Sequence, residues 1–340
     1  MPVLSALAIA CGSDGGGDGD GNGAGGGSSV PAPSCDGAPA SCGNESCCSS
    51  PVVTGGTYHR DYDEVSTNAG PNYLATVSNY RLDKFEVTVA RFRKFVTAWV
   101  GGWRPAAGAG KHTHLHGGSG LVNSGEGGGY ETGWDATWTD QLPTDATSWQ
   151  SSLSCDPTYQ LWTSGAGGNE GRPINCVTWY QAYAFCIWDG GFLPSEIEWN
   201  YAATGGSEQR VYPWSSPPTS TTIDETRASY YVDTTRQCLG DGVNGCTAAD
   251  LIPVGTKPAG DGRWGQSELA GNVSEWTLDW YAPLYASSCE NCAHLTAASQ
   301  RAVRGQDFYT GAASLGSSLR DYGTPSDRRN VRGARCARKP

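Results

Sequence analysis

The chain has 340 residues, with 48 Gly and 13 Trp but only 17% charged residues, a balance that favours many turns over long amphipathic helices. Its formal net charge of −11 argues against nucleic acid as a partner, because phosphate backbones would repel it. No stretch approaches the roughly 18 consecutive apolar residues that a membrane helix needs.

Taken in chain order, the first segment, 1–11, reads as the end of an export signal. Leu7-Ala8-Ile9-Ala10-Cys11 is similar to a bacterial lipobox with Cys11 as the lipidated residue, although Ala8 replaces the usual Leu. No Lys or Arg precedes the apolar run, as expected if the true start lies upstream. Residues 12–34 are almost all Gly, Ser, Asp, Asn, Ala and Pro, the composition of a flexible tether. A Cys-rich knot over 35–50 follows, and one domain over 51–340 completes the chain. Setting Cys11 aside leaves twelve cysteines, an even number consistent with a disulfide framework in an exported protein. Cys35, Cys42, Cys47 and Cys48 group locally, Cys238 and Cys246 bracket a loop, and Cys289-Glu-Asn-Cys292 is a C-x-x-C. That motif also suits a redox pair or half a zinc site, and neither is favoured.

Phe92, Phe95, Val96 and Trp99 recur at helical spacing behind Thr88, which predicts a helix within 87–100. Residues 101–171 carry Gly runs and scattered Trp without periodicity, too long for a plain connection and expected to be a packed, Trp-pinned insertion. Within it, His112, His114 and His116 would share one face if extended and could bind zinc, copper or iron. No carboxylate is adjacent in sequence, so a solvated loop is the preferred reading. Thr178 and Gln181 make a capping box for a helix from about Trp179 to Trp188, and Ser195 and Glu198 make another for the next helix. The same box, with the helix dipole favouring Glu196, accounts for that pair of acids without acid/base chemistry. Short strands are predicted at Leu82–Glu86 and Arg301–Arg304. Trp179, Trp199, Trp214, Trp264 and Trp276 are expected in the core.

Seven strings now stand in order: Arg81–Thr88, Pro173–Trp188, Phe192–Ala203, Tyr212-Pro213-Trp214, Gly271–Trp276, Arg304-Gly305 and Gly333–Ala337. Together they resemble the sulfatase-modifying-factor, or formylglycine-generating enzyme, domain family. The resemblance implies an α+β fold related to C-type lectins, with little regular secondary structure and long ordered loops. It also implies a disulfide between Cys186 and Cys336, and structural calcium held by the carbonyls of Glu268, Gly271 and Val273 and the carboxylate of Glu275. An ion of this hardness takes six to eight oxygens, which such a turn can supply. The family's second calcium loop would fall near 227–245, where Cys238 and Cys246 suggest a disulfide instead.

The family's chemistry uses two cysteines that hold Cu(I), a soft ion that selects sulfur. Here the matching positions fall near Thr310 and Leu315, and no cysteine lies between Cys292 and Cys336, so no copper is expected. Residues 301–340 hold nine Lys or Arg against three Asp. These basic residues would either pair with the acidic body, the favoured reading, or face an anionic ligand. Arg304, Thr310, Arg320, Arg328, Arg329 and Arg332 are the candidates to line a ligand-binding groove. The expectation is a bacterial cell-envelope lipoprotein, held to the membrane by its lipid, that binds an extracellular ligand or protein. An oxidoreductase with a different metal site ranks second and formylglycine generation on sulfatases last.

Overall fold

The computed structural model describes residues 32–36, 41–61, 73–285 and 288–340, so Cys11, the proposed signal and most of the tether lie outside the described residues. Helix accounts for 21% and strand for 17%, so most backbone polar groups must find partners outside regular ladders.

Helix α1, Val89–Val100, starts where Thr88 accepts a hydrogen bond from the Arg91 amide, and it buries Phe92, Phe95, Val96 and Trp99. Helix α2, Ala146–Ser152, lies in the Trp-bearing insertion and was not predicted; its signal is an Asp145/Ser148 capping box too short to show periodicity. The insertion is packed: Trp134, Trp149 and Trp162 join Trp99 and Phe185 in the main core. Helices α3, Trp179–Trp188, and α4, Glu196–Ala203, begin at the two expected capping boxes. Every residue of α4 is buried, including both of its glutamates. Trp179, Trp199 and Trp276 are core residues, whereas Trp214 and Trp264 are only half-buried.

The strand predicted over Leu82–Glu86 is observed as Tyr80–Leu82. It ends there because the Asp83 and Glu86 side chains turn into the protein and bind Arg91 and Asn272 respectively. A four-stranded sheet places Asp321–Gly323, Arg301–Arg304, Ser274–Trp280 and Arg332–Gly333 side by side. The first two pairings are antiparallel and the last is parallel. This sheet delivers the loop after Arg304, where the family resemblance puts its chemistry.

Six disulfides join Cys35 to Cys48, Cys42 to Cys47, Cys155 to Cys176, Cys186 to Cys336, Cys238 to Cys246 and Cys289 to Cys292. The first two form the amino-terminal knot, which packs through Cys42 and Cys47 on Phe85 and Val254. The C-x-x-C sulfurs are bonded to each other, which leaves no thiolate there for zinc.

Cys186 and Cys336 lie 150 residues apart, whereas Cys238 and Cys246 lie 8 apart. On a chain-entropy basis the first bond stabilises by up to about 5 kcal/mol and the second by up to about 2.5 kcal/mol. Urea melts should therefore show a loss roughly twice as large for Cys186→Ala with Cys336→Ala as for Cys238→Ala with Cys246→Ala. Equal losses would contradict loop closure as the origin of the difference.

Candidate functional site

The loop that follows Arg304 is shaped by close backbone packing. Gly305 has φ +88°, and a Cβ there would meet the Trp199 ring at 3.1 Å. Phe308 is fully buried, and its amide donates to the Asn272 carbonyl. Asp307 then closes a turn by accepting from the Tyr309 amide at 2.9 Å and the Thr310 hydroxyl at 3.2 Å. Burial, with Asp321 adding to it, pushes the Asp307 carboxyl up to about 6. The Thr310 carbonyl accepts from the Tyr231 amide, which ties this loop to the hairpin that pairs Tyr231 with Cys238, itself bonded to Cys246.

Three tyrosines surround Thr310. Tyr231 and Tyr309 stack with ring centroids 5.9 Å apart and planes 7° from parallel. The Tyr159 hydroxyl lies 3.4 Å from that of Tyr309 and donates to the Cys246 carbonyl. The hydrogen bond to Tyr309, with burial behind it, pushes Tyr159 up to about 12. Tyr309 remains 47% exposed, so this face is open to a ligand. Leu315, at the second position where the family resemblance expects a thiol, is 1% exposed and packs with Val211, Tyr212, Ala228, Tyr230 and Ala270. All twelve described cysteines are in disulfides, so the described residues hold no free thiol.

The expected basic groove is not assembled from the predicted arginines. Arg304 is buried and bound to Glu196, Asp61 and Tyr285. Arg320 forks the same Glu196 at 2.7 and 2.8 Å. Burial raises the Glu196 carboxyl, but these two guanidiniums outweigh it and hold the group below the usual carboxylate range. Arg332 is buried against Trp276 and bound to Asp321. Only Arg328 and Arg329 of the five are exposed. The carboxylates that claim Arg304 and Arg320 come from segments distant in sequence, beyond the reach of a composition argument, whereas Asp321 lies 11 residues from Arg332.

The three histidines do not converge. His112 is fully buried, with Nδ1 2.9 Å from Glu131 and Nε2 3.0 Å from Glu198. Burial lowers it, but the two carboxylates outweigh burial and carry the ring up to about 10. Both nitrogens are then donors, and an imidazolium offers a metal no lone pair. His114 faces Phe192, and His116 donates to the Gly120 carbonyl. The solvated-loop reading therefore fails for His112. Glu198, read from sequence as a capping residue, both caps α4 and holds this ring.

At the expected calcium turn, Arg335 has taken two of the four donors. Its Nη2 donates to the Glu268 carbonyl at 3.1 Å, and Nε and Nη2 hold the Glu275 carboxylate at 2.7 to 2.9 Å. Trp199 adds a third donor to Glu275 at 2.7 Å. The set as predicted is thus closed around a guanidinium and does not fit a cation. One oxygen beside it does: the buried Glu268 Oε2 has no partner, while Oε1 accepts from the Gly255 amide. Burial raises Glu86 well above its ordinary value and carries Glu268 up to about 8. Among the described residues no three His, Cys, Asp or Glu side chains converge on a metal position, so any cation here would also need backbone or water oxygens.

Known proteins resemble this chain in sequence and in fold. The formylglycine-generating enzyme of Mus musculus is 27% identical over 226 residues, covering 62% of this chain and 52% of that protein. The inactive C-alpha-formylglycine-generating enzyme 2 of Bos taurus is 30% identical over 222 residues, covering 62% and 64%. The chain thus spans about half the length of the first curated relatives it matches. Among solved structures, PvdO from Pseudomonas aeruginosa is 19% identical with a TM-score of 0.54, covering 85% of this chain and 93% of that one. Treponema denticola variable protein 1 is 18% identical with a TM-score of 0.51, covering 86% and 95%. Residues 38–340 match the sulfatase-modifying factor enzyme 1-like domain, and the chain belongs to that family.

Proposed function

We propose that this chain is an exported, lipid-anchored binding module of the bacterial cell envelope, built on the formylglycine-generating frame without its copper chemistry. The observation that carries the reading is the fate of the sulfurs: the described cysteines are all consumed in disulfides, and a buried leucine and a hydrogen-bonded threonine occupy the positions matched to the copper ligands. Monovalent copper would have no thiolate pair to bind. A relative whose name records inactivity supports the same reading. Six disulfides are in keeping with an oxidising compartment, and no described helix is long and apolar enough to cross a membrane. The ligand face is the tyrosine-lined surface around Thr310, with Arg328 and Arg329 exposed on the same carboxy-terminal segment. The competing oxidoreductase reading loses its metal site once His112 is bound between two glutamates.

Thiol titration of the denatured, unreduced protein should find at most one reactive thiol per chain, that of Cys11, and none if Cys11 carries lipid. Copper-loaded protein should leave a cysteine-bearing sulfatase peptide unconverted. Two or more thiols, or an aldehyde on the peptide, would overturn the reading. Metabolic labelling with a fatty acid tests the anchor, which Cys11→Ser should abolish.

Because Arg335 holds two of the four donors the resemblance implies, calcium is retained only as a test at the one unpartnered oxygen beside them, that of the Glu268 carboxylate. Glu268 stands at about 8 in the folded chain against an ordinary 4.5, so the folded state keeps a proton that the unfolded state releases. Its contribution is complete below about pH 4.5 and fades as pH rises through 8, at up to about 1.4 kcal/mol per pH unit. Calcium competes with that proton. After treatment with chelator, millimolar calcium should raise the melting temperature at pH 8, do so less at pH 6, and have no effect on Glu268→Gln at either pH. No calcium response at pH 8 would remove the ion from the proposal.

A further inference from the structure

Four arginines of this domain, Arg93, Arg320, Arg335 and Arg338, spend the same edge of the guanidinium, Nε together with Nη2, on one carboxylate of the chain each. That side-on edge presents two parallel N–H groups whose spacing matches the two oxygens of a carboxylate. Arg301 departs from the rule. It is 3% exposed, yet it forms no ion pair with any described residue. Its Nη1 donates to the Leu278 carbonyl at 2.7 Å, its Nε is buried without an acceptor, and Nη2 has none among the described residues.

The side chain is nonetheless held in place. The guanidinium carbon lies 3.6 Å from the ring centroid of Trp179 and 3.5 Å from that of Trp280, a sandwich that fixes the plane of the fork while its Nε stays buried without an acceptor. Trp138, half-buried, stands 6.0 Å away and contributes to the rim with Trp280. Across the sheet, the residue opposite Arg301 is Gly323. On that same face the absence of a Cβ at Gly323 makes room for Arg332, whose Nη1 lies 2.0 Å from where the Cβ would be. Arg332 also keeps two buried donors, Nε and Nη1, without acceptors. Three buried guanidinium N–H positions without partners therefore flank one glycine.

A buried donor left unpaired costs free energy, and a buried cation without a counter-charge costs more. Burial accordingly lowers Arg301 to about 9, the reverse of the upward shift of Arg335, which has its carboxylate. An organic carboxylate would supply what the four internal forks already have. The remainder of the ligand would rest a C–H face, such as that of a sugar acid, on the indole rim.

We propose that Arg301, clamped between Trp179 and Trp280, is a binding site for a carboxylate group carried by an external ligand. The inference does not depend on the non-catalytic reading of the Thr310 face, and either can fail without the other.

The test uses the intact protein and its own tryptophans. Titration with glucuronate at fixed ionic strength should give a saturable change in tryptophan fluorescence, and the uncharged methyl ester of glucuronate should give none. Arg301→Lys keeps the charge but not the fork, and should weaken binding at least tenfold while the melting curve shows it folded. Should that variant fail to fold, the Arg301 Nε–H resonance of the wild-type protein provides the second reading, because it should shift on adding glucuronate and not on adding the ester. Absence of saturation in the wild type, equal binding by the ester, unchanged affinity in Arg301→Lys, or a response to sulfate with glucuronate inert would each overturn the assignment.

Discussion

Arg335 is the interaction on which the loop architecture depends. One guanidinium donates to the carbonyls of Asp83, Lys84, Ser267 and Glu268 and to the carboxylate of Glu275. It thereby ties together three stretches of chain that share no ladder. In a fold with so little regular structure, buried carbonyls without ladder partners must be met by side chains, and a planar cation with five donors meets more of them than any neutral residue. The neighbouring Cys336 is bonded to Cys186 in α3, so the node is anchored covalently as well as electrostatically. Removing the guanidinium would leave the buried Glu275 carboxylate with only the Trp199 indole and no counter-charge, and would take the side-chain donor from the carbonyls of Asp83, Ser267 and Glu268, which is why this position has no conservative substitute.

The same logic governs the basic carboxy-terminal segment. Arg338 shares Asp83 and Asp189 with Arg91, and Arg304 and Arg320 share Glu196. Much of the positive charge that could have formed a groove is used to join the last forty residues to the acidic body. Pairing with the acidic body, the favoured sequence reading, describes Arg304, Arg320, Arg335 and Arg338, while Arg332 pairs within the segment with Asp321. Exposure is left to Arg328, Arg329 and Lys339.

How much of this was legible depended on the range of each signal. Helices α1, α3 and α4 were readable because a cap and its periodic face lie within about a dozen residues. The family's ordered strings carried the fold, and the implied Cys186 to Cys336 bond is present. Helix α2 was missed because seven residues are too few to show a period. The His112 site was missed for a different reason: its carboxylates come from 19 and 86 residues away, and no local pattern marks Glu131 or Glu198 as partners of an imidazole. The calcium expectation transferred backbone carbonyls by alignment, whereas the guanidinium that occupies two of those donors arrives from 60 and 67 residues downstream.

The residues near which the family resemblance places the two thiols are each held by interactions of their own, and the frame does not draw on sulfur there. Thr310 is satisfied by its own turn and by the Tyr231 hairpin, and Leu315 belongs to a small cluster separate from the main aromatic core. Neither position touches the Arg335 node, the Cys186 to Cys336 staple or the buried His112. Thr310 lies beside the exposed Tyr309, whereas Leu315 is a buried packing residue whose truncation would cost about 2–5 kcal/mol, so the second position has become part of a local core. Arg301 differs from both. It sits inside the sheet, held by the Leu278 carbonyl and two indole faces, and the cost of its buried Nε without an acceptor is what the proposed carboxylate would offset.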